Sequence, residues 1–171
     1  VSRIDTLNLT INDYLEATSD FHNHNESVKY AIKDMLDQDI IPTFTLRRQK
    51  TGQDYITFCS HEACKSINAY LLTRTEILTR DRPLFKVHER YLNMIFERLN
   101  GYFQLGKMPN WYNRLTPHML RRYAATQLAE AGISTDHINL LQGRKIQGVA
   151  HESYIRINPE TLREEYIKAL P

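Results

Sequence analysis

The sequence predicts an α+β domain that is mostly helical, with one small antiparallel β-sheet. Two observations carry this. Apolar residues recur every three or four positions in segment after segment, the spacing of a single helix face. Only one stretch, TFTLRRQKTGQDYITF, sets two β-prone runs around a turn, which Gly52 supplies. At 171 residues, with 42% apolar and 25% charged residues, the chain is long enough for one domain with a sizeable core. No apolar run approaches the roughly 20 residues of a membrane span, and no signal peptide is visible. The net charge is only +2, so any affinity for a polyanion must come from local clustering. Cys59 and Cys64 fall at a strand end and a helix start, which suits reduced structural thiols better than a disulfide or metal framework.

In chain order, Ile4, Leu7 and Ile11 share helical spacing and predict an opening helix, with Arg3 at its start. SDFHNHN, residues 19–25, is polar and turn-like; the alternate His22 and His24 lack the partners of a metal site. Val28, Ile32 and Met35 predict a helix that Pro42 ends. The hairpin follows, with Lys50 near its tip. Arg47 and Arg48 lie on the same ribbon, where they would touch a nucleic-acid backbone or guard a solvated edge. Ser60 caps a helix to about Arg74 with Ala63, Ile67 and Leu71 inward, and Leu84 and Phe85 then plug into the core. A helix from about Glu89 to Phe103 shows Tyr91, Ile95 and Leu99 on one face. Trp111 and Tyr112 are expected to pack, with stacking on a nucleic acid as the alternative.

The stretch from Thr116 to Tyr154 carries the chemistry. Thr116 and Pro117 form an N-cap and first helical position. His118 and Arg121 then project from one face, and Leu120, Ala124 and Leu128 form a row expected to bury. Gly132 stops this helix, and a second runs from near Ser134 to Gly143. Arg144 and Lys145 lie just beyond it, and Tyr154 follows. An imidazole, guanidinium forks and a tyrosine hydroxyl suit a phosphate with a nucleophile beside it. Asn158 and Pro159 open a last helix with an apolar stripe of Leu162, Tyr166 and Leu170, which needs a partner surface in cis or from a neighbour.

TPHMLR, the helix end INLLQG and the tyrosine after it resemble the signature of the tyrosine recombinase (integrase) family. Gly143-Arg144 stands where that family commonly has Gly-His, which is similar to integrases of archaeal mobile elements, and the gap to Tyr154 is one residue longer than usual. The resemblance extends to Arg3 with Leu9, Thr10 and Asp13, although the acidic residue usual three positions after the arginine is Thr6 here, with Asp5 beside it. It extends also to Lys50 on its hairpin. The resemblance implies a catalytic set of Tyr154, Arg3, Lys50, His118, Arg121 and Arg144, with Lys145 competing for the place of the second histidine. Arg47, Arg48, Arg122 and Lys145 are the expected DNA contacts. The implied activity is site-specific recombination of double-stranded DNA through a 3′-phosphotyrosyl intermediate, with no cofactor and no magnesium. The alternatives are a type IB topoisomerase and a DNA-binding module that has lost catalysis. The chain opens at Val1 inside a predicted helix, so residues 1–171 read as a catalytic domain whose N-terminal DNA-clamping part lies elsewhere. Its expected place is on DNA in the cytoplasm, as a dimer or tetramer joined through the helix at 158–170.

Overall fold

The computed structural model describes residues 2–144 and 158–170. They form eight α-helices and one two-stranded antiparallel sheet, as the periodicity predicts. The expected opening helix is two helices, α1 (Arg3–Leu7) and α2 (Ile11–Ala17). The break comes from a capping box. The Thr10 amide donates to Asp13 Oδ2 (2.7 Å), and the Asp13 amide donates to Thr10 Oγ1 (3.1 Å). Ile4 consequently leaves the apolar row and is half exposed.

After a 3₁₀ turn over Ser19–Phe21, α3 (Val28–Asp34) buries Val28 and Ile32, with Met35 buried at its C-cap. It stops at Asp34, eight residues short of Pro42, which instead leads into the sheet. Strands β1 (Thr43–Arg47) and β2 (Asp54–Phe58) pair from Thr43↔Phe58 to Arg47↔Asp54. His22 Nε2 lies 3.0 Å from the Leu15 carbonyl, which gives that histidine a structural partner. Helix α4 (His61–Thr73) buries Cys64, Asn68 and Leu71. The Tyr14 hydroxyl from α2 donates to Asn68 Oδ1 at 2.6 Å, satisfying two polar groups at the centre of the main core.

The connection after α4 is stitched onto the α1–α2 junction. Leu84 N–H donates to the Leu9 carbonyl (2.7 Å), and Ile11 N–H donates to the Arg82 carbonyl (2.9 Å). Arg74 fastens the connection by bonding Glu76 and the Pro83 carbonyl. Leu84 is thereby fully buried, a gain of about 2 kcal/mol.

Helices α5 (Glu89–Tyr102) and α6 (Pro117–Glu130) flank a loop that carries Trp111 and Tyr112. These two do not pack as expected: they are 81% and 67% exposed. The α6 expectation is also corrected. Leu120 and Ala124 face solvent, and the half-buried face is the neighbouring one, Arg121, Ala125 and Leu128. The hydrophobic pattern misleads here because α6 turns a cation, rather than its most apolar stripe, toward the domain. Gly132, at φ 86°, ends α6 and lets Ile133 N–H reach back to the Leu128 carbonyl. Helix α7 (Thr135–Leu141) and helix α8 (Pro159–Lys168) close a second core of Leu141, Leu162 and Phe58. The Tyr166 ring sits 5.4 Å from that of Phe58, so the α8 stripe is covered by this domain's own β2.

Candidate active site

A cleft of about 1070 Å³ opens between α1, the β1–β2 turn, α5, the start of α6 and the end of α7. Arg3, Lys50, His118, Arg121 and Arg144 all line it, although they come from sequence positions up to 141 residues apart. Tyr154 and Lys145 lie outside the described residues.

Each side chain reaches the cleft for a local reason. The Thr116 hydroxyl accepts from Met119 N–H and fixes the first turn of α6, from which His118 and Arg121 project. That turn is anchored from below by Asn100, which is buried on α5. Asn100 donates to the Leu115 carbonyl (2.6 Å) and accepts from Leu115 N–H (2.9 Å). Lys50 stands at the tip of a turn closed by Arg48, whose carbonyl accepts from Gly52 N–H at 2.8 Å. The tip is tied to α1 by Asp5, the residue beside the position where an acid was expected. Its carboxylate is buried and accepts from Gln49 N–H (3.1 Å), from the Ser2 hydroxyl (2.6 Å) and from Tyr55. Arg3 is held from α5 by an ion pair with Glu89 and by a 2.9 Å hydrogen bond to Asn93 Oδ1.

Arg48 and Arg121, which line the cleft, are tied to the Gln142–Gly143 corner after α7. Arg121 donates to the Gln142 carbonyl, and the Gln142 amide donates back to the Arg121 carbonyl at 3.0 Å. Arg48 donates to the next carbonyl, that of Gly143. Arg48 is thus no ribbon-edge arginine; it lines the cleft and is half buried. Gly143 has φ 62°, and a Cβ there would lie 2.9 Å from Cγ and Cδ1 of the Tyr55 ring. Only glycine fits both the conformation and the approach. Burial, with the charges of Arg144 and Arg48 nearby, lowers the Arg121 pKa from its usual value. Burial, reinforced by the Asp5 carboxylate, raises that of Tyr55. Three guanidinium groups crowded at the base of a cleft favour an anion, and forked donors match phosphate oxygens.

Arg47 and Arg122 stay on the surface, Arg47 facing Asp54 at 3.9 Å. Sequence reasoning gave Arg48 a DNA-backbone contact or a solvated edge, without its partner at Gly143, and did not single out Glu89, Asn93 or Asn100. Arg48 is one of two adjacent arginines, and only the hairpin register separates the inward from the outward one. The α5 residues carry no motif.

No solved structure and no curated protein matches the chain. The model of the phage integrase family matches residues 24–160, a span that takes in Lys50, His118, Arg121 and Arg144; Arg3 lies before it and is brought in by the fold. On that match, this chain belongs to the phage integrase family.

Proposed function

We propose that the protein is a site-specific recombinase that cuts and rejoins DNA strands through a covalent phosphotyrosine on Tyr154. The observation that carries this reading is the convergence of Arg3, Lys50, His118, Arg121 and Arg144 on one cleft. The Tyr154 oxygen attacks the phosphorus, a P–O(Tyr) bond forms and the bond to the 5′ oxygen breaks. The tyrosine proton passes to His118, and the leaving 5′ oxygen takes a proton from Lys50. Arg3, Arg121 and Arg144 hold the non-bridging oxygens as negative charge builds. The ester energy is kept in the phosphotyrosyl bond, so a 5′ hydroxyl of a second strand can reverse the step without a nucleotide. Arg47, Arg122 and Lys145 are assigned contacts to the DNA backbone, and affinity should fall steeply with added salt.

The test is a suicide DNA substrate nicked near the cleavage point, which traps protein on a 3′ phosphate. Peptide mapping should place the DNA on Tyr154, and Tyr154→Phe should abolish trapping. An adduct that persists in Tyr154→Phe, or maps to Tyr166, refutes the assignment. Burial raises the Tyr166 pKa to about 12, and its ring is committed to Phe58.

A further inference from the structure

We propose that the loop from Lys107 to Arg114 is a nucleic-acid contact in which Trp111 stacks on an unpaired base at the edge of the cleft. The inference rests on the proposed DNA-cleaving function of that cleft. Trp111 has φ 64°, a left-handed conformation that a bulky side chain rarely adopts, and its ring is 81% exposed. The loop holds it there by design of its backbone. Lys107 and Asn113 form a β-bridge, Met108 N–H donates to the Tyr112 carbonyl (2.9 Å), and Trp111 N–H donates to the Met108 carbonyl (2.9 Å). The loop base is pinned by buried Asn100 through both polar groups of Leu115. A strained, hydrogen-bonded loop that spends its structure on presenting an aromatic ring to solvent suits a binding element.

Charge identifies the occupant. Residues 98–129 contain no Asp or Glu, although the chain has 20, and they carry Arg98, Lys107, Arg114, Arg121 and Arg122. Arg98, Lys107, Arg114 and Arg122 are exposed, and a stretch so charged is complementary to a polyanion. The loop is also continuous with the cleft, which Tyr112 and Asn113 line. Cations take phosphates, whereas an indole face takes a base. An indole cannot stack on a base inside a closed duplex without opening it. Strand cleavage in the adjoining cleft frees an end whose first bases can unpair, and Trp111 offers them a platform.

Trp111 is the only tryptophan in the chain, so its emission reports on this loop alone. The full chain is titrated with an intact duplex and with the same duplex carrying a nick and unpaired 5′ bases. DNA anisotropy and tryptophan emission are read together. The expected result is strong quenching by the unpaired substrate and weak quenching by the intact duplex. Trp111→Ala should weaken binding of the unpaired substrate about tenfold and of the duplex by less than about twofold, with Trp111→Phe recovering most of the loss. Anisotropy that reports binding while emission stays constant overturns the inference and leaves the cleft reading intact. Equal weakening of both substrates by Trp111→Ala also overturns it. So does an emission change driven by protein concentration without DNA, which would make the loop a contact between copies. Failure to bind either DNA overturns the inference together with the proposed function.

Discussion

Gly143→Ala isolates the mechanical demand at the corner that holds Arg48 and Arg121, and Gly132 supplies its control. Both glycines end helices in the left-handed region, at φ 62° and φ 86°. A Cβ at Gly132 meets nothing within 4 Å, whereas at Gly143 it would lie 2.9 Å from the Tyr55 ring. Alanine at either position costs about 1 kcal/mol for the backbone conformation. At Gly143 overpacking adds about 1–3 kcal/mol. The contact falls on the root of the Tyr55 ring, which is buried and bonded to Asp5, so it cannot swing aside. Gly143→Ala should therefore destabilise by about 2–4 kcal/mol and Gly132→Ala by about 1 kcal/mol, measured by urea denaturation followed by circular dichroism. Folded Gly143→Ala should also cleave DNA poorly, because its corner supplies the carbonyls that hold Arg48 and Arg121. Two variants destabilised equally, within about 0.5 kcal/mol, would refute the steric argument.

Arg144→Ala should reduce suicide-substrate trapping more than Lys145→Ala; the opposite order would give the second-histidine role to the lysine. Glu89→Gln removes the carboxylate that competes with phosphate for Arg3. It should tighten DNA binding roughly twofold to fivefold at low salt, by anisotropy, and unchanged or weaker binding would show Glu89 to be needed for placing Arg3. Burial pushes the Cys59 thiol up to about 12 and raises that of Cys64, so both should resist a thiol reagent at pH 8 and react quickly in guanidinium. The folded-state values for Cys59 and Tyr166 lie above their ordinary ones, so the unfolded chain loses these protons first. Stability should hold below about pH 9 and fall between there and about pH 12, the value both groups reach.

Much of this architecture is legible in the sequence because its signals are local. Capping residues, Gly52 and Pro117 mark element starts and turns at the positions observed. That Arg3, Lys50, His118, Arg121 and Arg144 share one cleft follows the motif order of the sequence, even though the fold must bring Arg3 and Arg121 together. What stays hidden is orientation. Leu120 and Ala124 of the α6 apolar row face outward because Arg121 takes the inward face, and no periodicity announces a buried cation. The split between α1 and α2 is written in Thr10 and Asp13, where a capping box stands inside an apolar repeat that spans the break. Arg48 and Asn100 owe their roles to partners 95 and 15 residues away, which no short-range pattern encodes.

Arg48 and Arg121 end on main-chain oxygens. A tether between two side chains is specified twice in the sequence and fails when either residue changes. One that ends on a carbonyl is specified once, and every residue type at the accepting position supplies the same oxygen. Position 142 is a partial exception, because the buried Gln142 amide also donates to the Arg121 carbonyl and so ties the turn back to α6. Gly143 carries the stricter constraint, since its single hydrogen atom is all that the Tyr55 ring leaves room for.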